Sequence, residues 1–374
     1  MAEIIANISA YRDNGIPLEI VFNILSRLPV KSLLQFKSVN KAWHALISSP
    51  EFIKEHLNRA SDIDNFIFHR FMYIKVRPFS RQDLSQSFDF STFNKVPARL
   101  PLNSQFVNAE AVASCNGLVL LYMNHERHLL WNPSTGNYKQ ISGLHRNRRN
   151  IQSYNRLYGI AHDASIDEYT VISAARVSHS QNPETIVSVY NCRTNCCNYI
   201  TEFPYWIFRN QQGAVVNGAP HWLVSHGHGD GEGCAIIYFD LSNETFKEVA
   251  KPDWAENGSE LDLRVFKGLL CLVQYKRGYA DIWVMEEYGE RGSWNKLYMY
   301  VRSLSALDVR PLGLTHDNKV VMEMEQSRVA IYNPETRQFY DMNIYSCYNN
   351  GFNAVTYLET LVSPNAWNED MRQL

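Results

Sequence analysis

No stretch of this 374-residue chain is apolar for long enough to cross a bilayer as a helix. No signal-peptide core stands at its start either, where MAEIIANISAYRDNG carries acid and asparagine instead of an apolar run. Basic charge is not in excess: 36 Lys and Arg face 38 Asp and Glu, a formal net charge of −2. That balance argues against a general nucleic-acid binder, which needs a basic surface. There is no G-x-S-x-G elbow, no P-loop and no H-E-x-x-H, and spacing brings no two of the dispersed acids and histidines together. The seven cysteines are odd in number and several lie in apolar runs, so a reduced protein of the cytoplasm, the nucleus or both is expected. Cys192, Cys196 and Cys197 form a CxxxCC with no second Cys/His pair at finger-like distance. His221, His226, His228, Asp230 and Glu232 crowd a stretch whose glycines read as a surface loop. Neither group is expected to hold a metal, and no cofactor is expected.

What is present divides the chain in two. Residues 16–52, IPLEIVFNILSRLPVKSLLQFKSVNKAWHALISSPEF, have helical periodicity. Ile20, Val21, Ile24, Leu25 and Leu28 make one apolar stripe. Pro17 suits a first helical turn, and Pro29 closes this helix. A second short helix is expected over Lys31 to Lys37, a third after an Asn40 cap, and a fourth after Ser49-Pro50-Glu51. So small a block has little core of its own, since a single core under about 70–80 residues seldom supplies more than about 3–5 kcal/mol. Some of its apolar side chains should therefore stay exposed, either as an interface or to pack on the rest of the chain.

These residues resemble an F-box, the motif that binds a Skp-type adaptor. The match runs through Ile16-Pro17, the Ile20/Ile24/Leu25 stripe, Leu28-Pro29-Val30-Lys31-Ser32-Leu33, Phe36-Lys37-Ser38-Val39, Lys41-Ala42-Trp43 and Ser49-Pro50-Glu51-Phe52. Ile16 departs from the family's usual leucine by a near-isosteric change. The resemblance implies that Pro17, Leu18, Ile20, Ile24 and Leu28, with parts of the following helices including Pro29 and Leu33, meet the adaptor. Val39 and Trp43 are expected to be core.

From residue 66 the period becomes two, in a chain with 21 Tyr, 18 Phe and 8 Trp. A unit recurs: LLWNPSTGNYKQI (129–141), SVYNCRTNCCNYI (188–200), IYFDLSNETFKEV (237–249) and AIYNPETRQFYDM (330–342). Each reads as a hairpin whose turn starts at Asn132, Asn191, Asp240 or Asn333. Trp131, Tyr190, Phe239 and Tyr332 should pair across the sheet, and Tyr138, Tyr199, Phe246 and Phe339 should return to the buried face. The anchors step by 59, 49 and 93 residues, and a fifth copy lies at DIWVMEEYGERGSWNKLYMY (281–300). A second hairpin precedes each, as in SCNGLVLLYM, VNGAPHWLVS and FKGLLCLVQY. Four strands per roughly 50 residues is the arithmetic of a kelch-type propeller blade. Residues 66–107 with AVTYLETLV (354–362) are expected to supply a sixth blade and close the ring. The alternatives are five blades or a twisted β-sandwich.

This region is similar to the plant F-box-associated domain, often described as F-box/kelch, on the pieces SCNGLVLL, WNPSTGNYK, YGIAHDASIDEY, VNGAPHWL, IIYFDLSNETFKEV, AIYNPETRQF and TYLETLVSP. The expected organisation is a flexible 1–12, a helical 13–60, a mainly β 61–364 and a tail over 365–374. The resemblance implies a substrate-recognition subunit of a Skp–cullin–F-box ubiquitin ligase without catalytic residues of its own. Its partners would be a Skp-type adaptor, through it a cullin, and a protein target, with no nucleic acid and no membrane. S-locus F-box proteins, which recognise pistil ribonucleases, share this build. A non-degradative scaffold and a glycan-reading propeller are the rival readings. The densest basic run, Arg146, Arg148 and Arg149 in HRNRRN, falls between repeats and is either a solvated loop or a contact for an acidic target.

Overall fold

The computed structural model describes residues 17–62, 68–75, 85–90, 95–96, 101, 109–123, 127–144, 155–177, 184–227, 233–255, 260–276, 279–301, 309–324, 328–345 and 352–366. Four helices come first: α1 (Leu18–Leu25), α2 (Val30–Phe36), α3 (Lys41–Ser48) and α4 (Pro50–Ala60). Both expected caps form. The Trp43 amide donates to Asn40 Oδ1 at 2.7 Å, and the Phe52 amide donates to Ser49 Oγ at 3.2 Å. Pro17 and Pro29 each stand one residue outside a helix, as the caps of α1 and α2, and neither supplies a side-chain acceptor.

Six sheets follow among the described residues, antiparallel except where Gln211–Gln212 pairs in parallel with Leu157 and Tyr158 at the inner edge of the third, so the six-bladed ring is the one formed. Blades II to VI span 109–141, 156–200, 214–249, 261–301 and 309–345. Blade I is built from both ends of the domain: Phe352–Leu358 is its innermost strand, paired with His69–Lys75 from Leu358↔His69 to Phe352↔Lys75. Closing the ring this way leaves no sheet edge free between first and last blade. The six innermost strands surround a central cavity of about 1000 Å³. Within blades II to VI, alternating strand direction puts the first and third hairpin turns on one face of the ring, here called the near face. The second turns and the connections between blades lie on the other, the far face.

The repeat forms as local chemistry directs. In blades II, III, IV and VI the outer hairpin turns at Asn132, Asn191, Asp240 and Asn333. Each side chain accepts the amide two residues on, at 2.8, 2.9, 2.9 and 2.9 Å. Each turn then needs a left-handed residue four positions past the anchor, and Gly136, Asn195, Glu244 and Arg337 take φ of 79°, 59°, 50° and 57°. Blade V lacks the anchor and closes instead through a single turn of 3-10 helix at Arg291–Ser293, with the Glu286 amide bonded to the Ser293 carbonyl. Inner hairpins use paired left-handed residues, as at Asn116-Gly117 and Asn217-Gly218.

The aromatics of the repeat divide by strand. Trp131, Tyr190, Phe239 and Tyr332 are buried. Trp131↔Tyr138, Phe239↔Phe246 and Tyr332↔Phe339 are direct cross-strand pairs, whereas Tyr190 faces Cys197. The expectation that the second aromatic of each unit is buried fails for Tyr138 and Tyr199, which are exposed, and Phe246 and Phe339 are half-buried. The reason is radial: each of these residues sits on its blade's outermost strand, which has a neighbouring strand on one side only.

Between blades II and III, His128 is buried, stacks on Tyr122 at 5.0 Å and lies 3.3 Å from the Tyr158 hydroxyl. Burial, aided by the nearby Arg156 charge, lowers its pKa to about 3. A depressed histidine is neutral in the fold and protonates more readily in the unfolded chain. The stability it preserves is therefore complete above pH 6.5 and declines as the pH falls toward 3. Between pH 6.5 and 5 this one site is expected to cost about 2 kcal/mol. Denaturant titrations at the two pH values check it: His128→Gln should flatten the slope, and an unchanged slope would remove His128 as the cause.

Candidate functional site

The helical block has a core of its own. Leu25, Val30, Leu33, Leu46, Ile47 and Phe52 are buried together, with Phe22 edge-on to Phe52 at 5.3 Å and Phe36 edge-on to Trp43 at 5.4 Å. Outside this core lie apolar side chains without cover. Ile20 is 49% exposed, Ile24 55%, Leu34 38% and Val39 59%. Ile20 and Ile24 are one turn apart on α1 and share its outer side.

The seven residues expected at the adaptor face separate accordingly. Pro17, Ile20 and Ile24 are exposed, and Leu18, Leu28 and Pro29 are half-buried. Leu33 is fully buried and belongs to the core. It follows Val30 by three positions, on the inward side of α2, while Leu34 is rotated a further 100° or so and faces out. Val39 reverses the opposite way: expected in the core, it sits exposed in the turn between α2 and α3. Trp43 is half-buried against Phe36. Arg146, Arg148 and Arg149 lie outside the described residues.

Sequence reasoning missed what fastens this block to the ring. Residues 359–365, following the closing strand, run between the two parts as a strap. The Val30 amide, the first of α2, donates to Glu359 Oε1 at 2.7 Å, and Glu359 Oε2 pairs with Arg70 of blade I. Pro29 gives α2 no side-chain cap, so a carboxylate 329 positions away satisfies one of its orphan amides and meets the positive end of its dipole. Next along the strap, the Thr360 hydroxyl donates to the Asn116 carbonyl at 2.9 Å. Leu361 is buried in the helical core, and Val362 is buried in the cluster shared by blades II and III. Leu57 of α4 reaches the same cluster, so the block rests on the near face. Gly117 makes the approach feasible: at φ 86°, a Cβ there would lie 2.2 Å from Thr360 Oγ1.

Asn132 joins the repeat to the strap. Its Oδ1 caps the hairpin turn, and its Nδ2 donates to the Thr360 carbonyl at 2.9 Å and the Val362 carbonyl at 2.7 Å. Asn132→Asp keeps the turn acceptor but sets a carboxylate against two carbonyls. It is expected to cost about 2–3 kcal/mol, whereas Asn191→Asp, at the equivalent and unstrapped position, should be near neutral. Equal thermal shifts for the two would show that the strap bonds contribute nothing.

His221, grouped in sequence with a loop, is buried in blade IV with its Nε2 2.8 Å from the Tyr288 hydroxyl, and burial lowers its pKa to about 4. His228, Asp230 and Glu232 lie outside the described residues. Among the described residues no three His, Cys, Asp or Glu side chains are grouped to hold a metal.

An exposed apolar face on a small helical block, clamped by a strap to a six-bladed ring, defines a two-part recognition protein. One part is shaped to be held and the other to hold. Residues 14–55 match the F-box domain and residues 70–364 the F-box associated beta propeller domain. The chain belongs to the family of F-box proteins that carry this propeller. It is similar to F-box/kelch-repeat protein At3g23880 of Arabidopsis thaliana, 29% identical over 368 residues that cover 95% of this chain and 97% of that protein. It is also similar to F-box protein CPR1 of Arabidopsis thaliana, 25% identical over 362 residues, 89% of this chain and 85% of that one. An F-box joined to a propeller gives the chain an F-box substrate-recognition role, with a Skp1-type adaptor on one side and a target protein on the other.

Proposed function

We propose that the chain is the substrate-recognition subunit of a Skp–cullin–F-box ubiquitin ligase, holding a target for ubiquitination. The observation that carries this reading is the exposure of the apolar side chains Ile20, Ile24, Leu34 and Val39 on a block otherwise clamped to the propeller. Apolar patches of that kind mark protein interfaces. Packing on the ring does not account for it, because the contacts to the ring run through Leu57, Glu359 and Leu361 instead.

The mechanism is proximity. Pro17, Leu18, Ile20, Ile24, Leu28 and Pro29 hold the adaptor, and Leu33 keeps their helices in place. The cullin, reached through the adaptor, brings a charged conjugating enzyme to the target's lysines. The chain contributes orientation and local concentration, effects able to lower a barrier by several kcal/mol, and no nucleophile of its own.

Purification of the tagged full-length chain from plant extract tests this. Recovery of a Skp-type adaptor together with a cullin is the expected result. Adaptor without cullin would replace the ligase with a non-degradative scaffold.

A further inference from the structure

We propose that the far face of the propeller carries a docking site for an acidic segment of the target protein. The site is formed by the connection 203–209 between blades III and IV and by an arginine cluster around Asp262. This inference rests on the recognition role assigned to the propeller.

The connection reads Phe-Pro-Tyr-Trp-Ile-Phe-Arg. Only Ile207 is buried; every other position retains exposure. The segment is nevertheless fixed. Trp206 and Ser225 exchange backbone hydrogen bonds of 2.7 and 3.0 Å, and Asn155 Nδ2 donates to the Ile207 carbonyl at 3.0 Å. The Arg176 guanidinium lies over the Trp206 ring, 3.1 Å from its centroid, and Phe203 meets Tyr205 edge-on at 5.5 Å. Rigid Trp, Tyr and Arg side chains at a half-exposed site are the composition of binding hot spots.

Arg209, three residues past Trp206, carries the surface to the innermost strand of blade V. Its guanidinium donates to the Leu261 carbonyl and lies 3.3 Å from Asp262 Oδ1. Arg264 reaches Asp262 Oδ2 at 2.9 Å, and Arg310 of blade VI stands 3.8 Å from the same oxygen. Burial pushes the Asp262 carboxyl up, but Arg264, Arg209 and Arg310 outweigh it and the net shift is downward. The carboxylate is buried, whereas the side chains of Arg209, Arg264 and Arg310 are 30%, 22% and 26% exposed. Glu323, across the ladder from Arg310, is buried as well. Nearby Glu248 takes up the Tyr205 hydroxyl at 3.1 Å and His226 at 3.5 Å. An approaching group thus meets guanidinium edges backed by the buried Asp262 carboxylate, which holds them in place. Such preorganised forks suit carboxylates or phosphates.

Protein is favoured over nucleic acid because the positive charge is compact, beside aromatic side chains, on a chain whose net charge is −2. A nucleic-acid site needs a basic stripe along a backbone.

The full-length chain with its adaptor would be probed on an array of random short peptides, printed with serine and with phosphoserine. Preference for peptides bearing several Asp or Glu over their Asn and Gln counterparts by about tenfold, weakening with salt, is expected. Arg209→Gln with Arg310→Gln should remove the preference, and Trp206→Ala, outside the ion cluster, should lower all binding if the double variant does not fold. Stronger signal from the phosphoserine peptides, lost in the same variants, would support the site and identify phosphate as the anion. No discrimination between acidic and neutral peptides by a chain that still holds its adaptor would overturn this site and leave the recognition role standing. Loss of adaptor binding in the wild type would instead count against that role. Displacement of the acidic peptides by oligothymidylate at lower concentration than by oligoglutamate would also overturn it.

Discussion

Glu359→Ala is expected to lower the unfolding free energy by about 3–5 kcal/mol, the range for removing one partner of a buried ion pair. The change strands the Arg70 guanidinium in a buried setting and leaves the first amide of α2 without its acceptor. It does so without disturbing any residue of the exposed apolar face. A charge-free replacement of both partners, Arg70→Met with Glu359→Leu, should recover most of the loss, because the penalty comes from the unpaired charge. Denaturant unfolding of the three proteins measures this. A shift under about 1 kcal/mol for Glu359→Ala, typical of a surface pair, would mean that the strap does not hold the two parts together. Limited proteolysis should cut the Glu359→Ala protein first between the helical block and blade I.

The second large effect concerns binding. Ile20→Asp with Ile24→Asp is expected to weaken adaptor binding at least about a hundredfold, which corresponds to about 2.7 kcal/mol. Each isoleucine is about half exposed, so each retains roughly half of the about 1.5–3 kcal/mol that full burial offers. Placing a carboxylate in an apolar interface adds a desolvation cost to that loss. Stability should change little, since both side chains point away from the block's core. Leu28→Ala would be a poorer test, because Leu28 packs into that core. Titration of purified adaptor into each protein, with melting curves alongside, separates the outcomes. Undiminished affinity would mean that the adaptor meets another surface.

The propeller was legible in the sequence because its chemistry is local. An Asn or Asp that bonds an amide two residues on, a left-handed residue four on and an aromatic beside it all fall within one short window. The window repeats with recognisable spacing. Blade V, with its 3-10 turn, still kept the strand–turn–strand outline. The helix caps at Asn40 and Ser49 were legible for the same reason. Tyr138 and Tyr199 misled because an aromatic signals a strand without saying how far that strand lies from the axis. Leu33 and Leu34 are adjacent and equally apolar, and only the position of α3 and the strap decides which turns inward. Val39 reads as core from its type alone, yet it occupies a turn.

Glu359 was illegible altogether. Its partners, Val30 and Arg70, lie 329 and 289 residues away, and a single glutamate after a strand carries no pattern. The same holds for Arg209, Arg264 and Arg310, which come from three separated segments and meet only when blades III to VI are in place. The strap contacts follow from topology: closing the ring with strand 352–358 delivers the next residues to the near face, beneath the helices.

That order of delivery has a consequence for synthesis in the cell. The helical segments emerge first from the ribosome, but Glu359 and Leu361 emerge only after the strands spanning 69–345. Until then α2 has no cap and the helical core lacks one of its leucines. A nascent or truncated chain ending before the strap would lack the Glu359 and Leu361 contacts that fix the helices to the ring. The anchoring of the helices made first thus depends on residues made after the last strand of the ring.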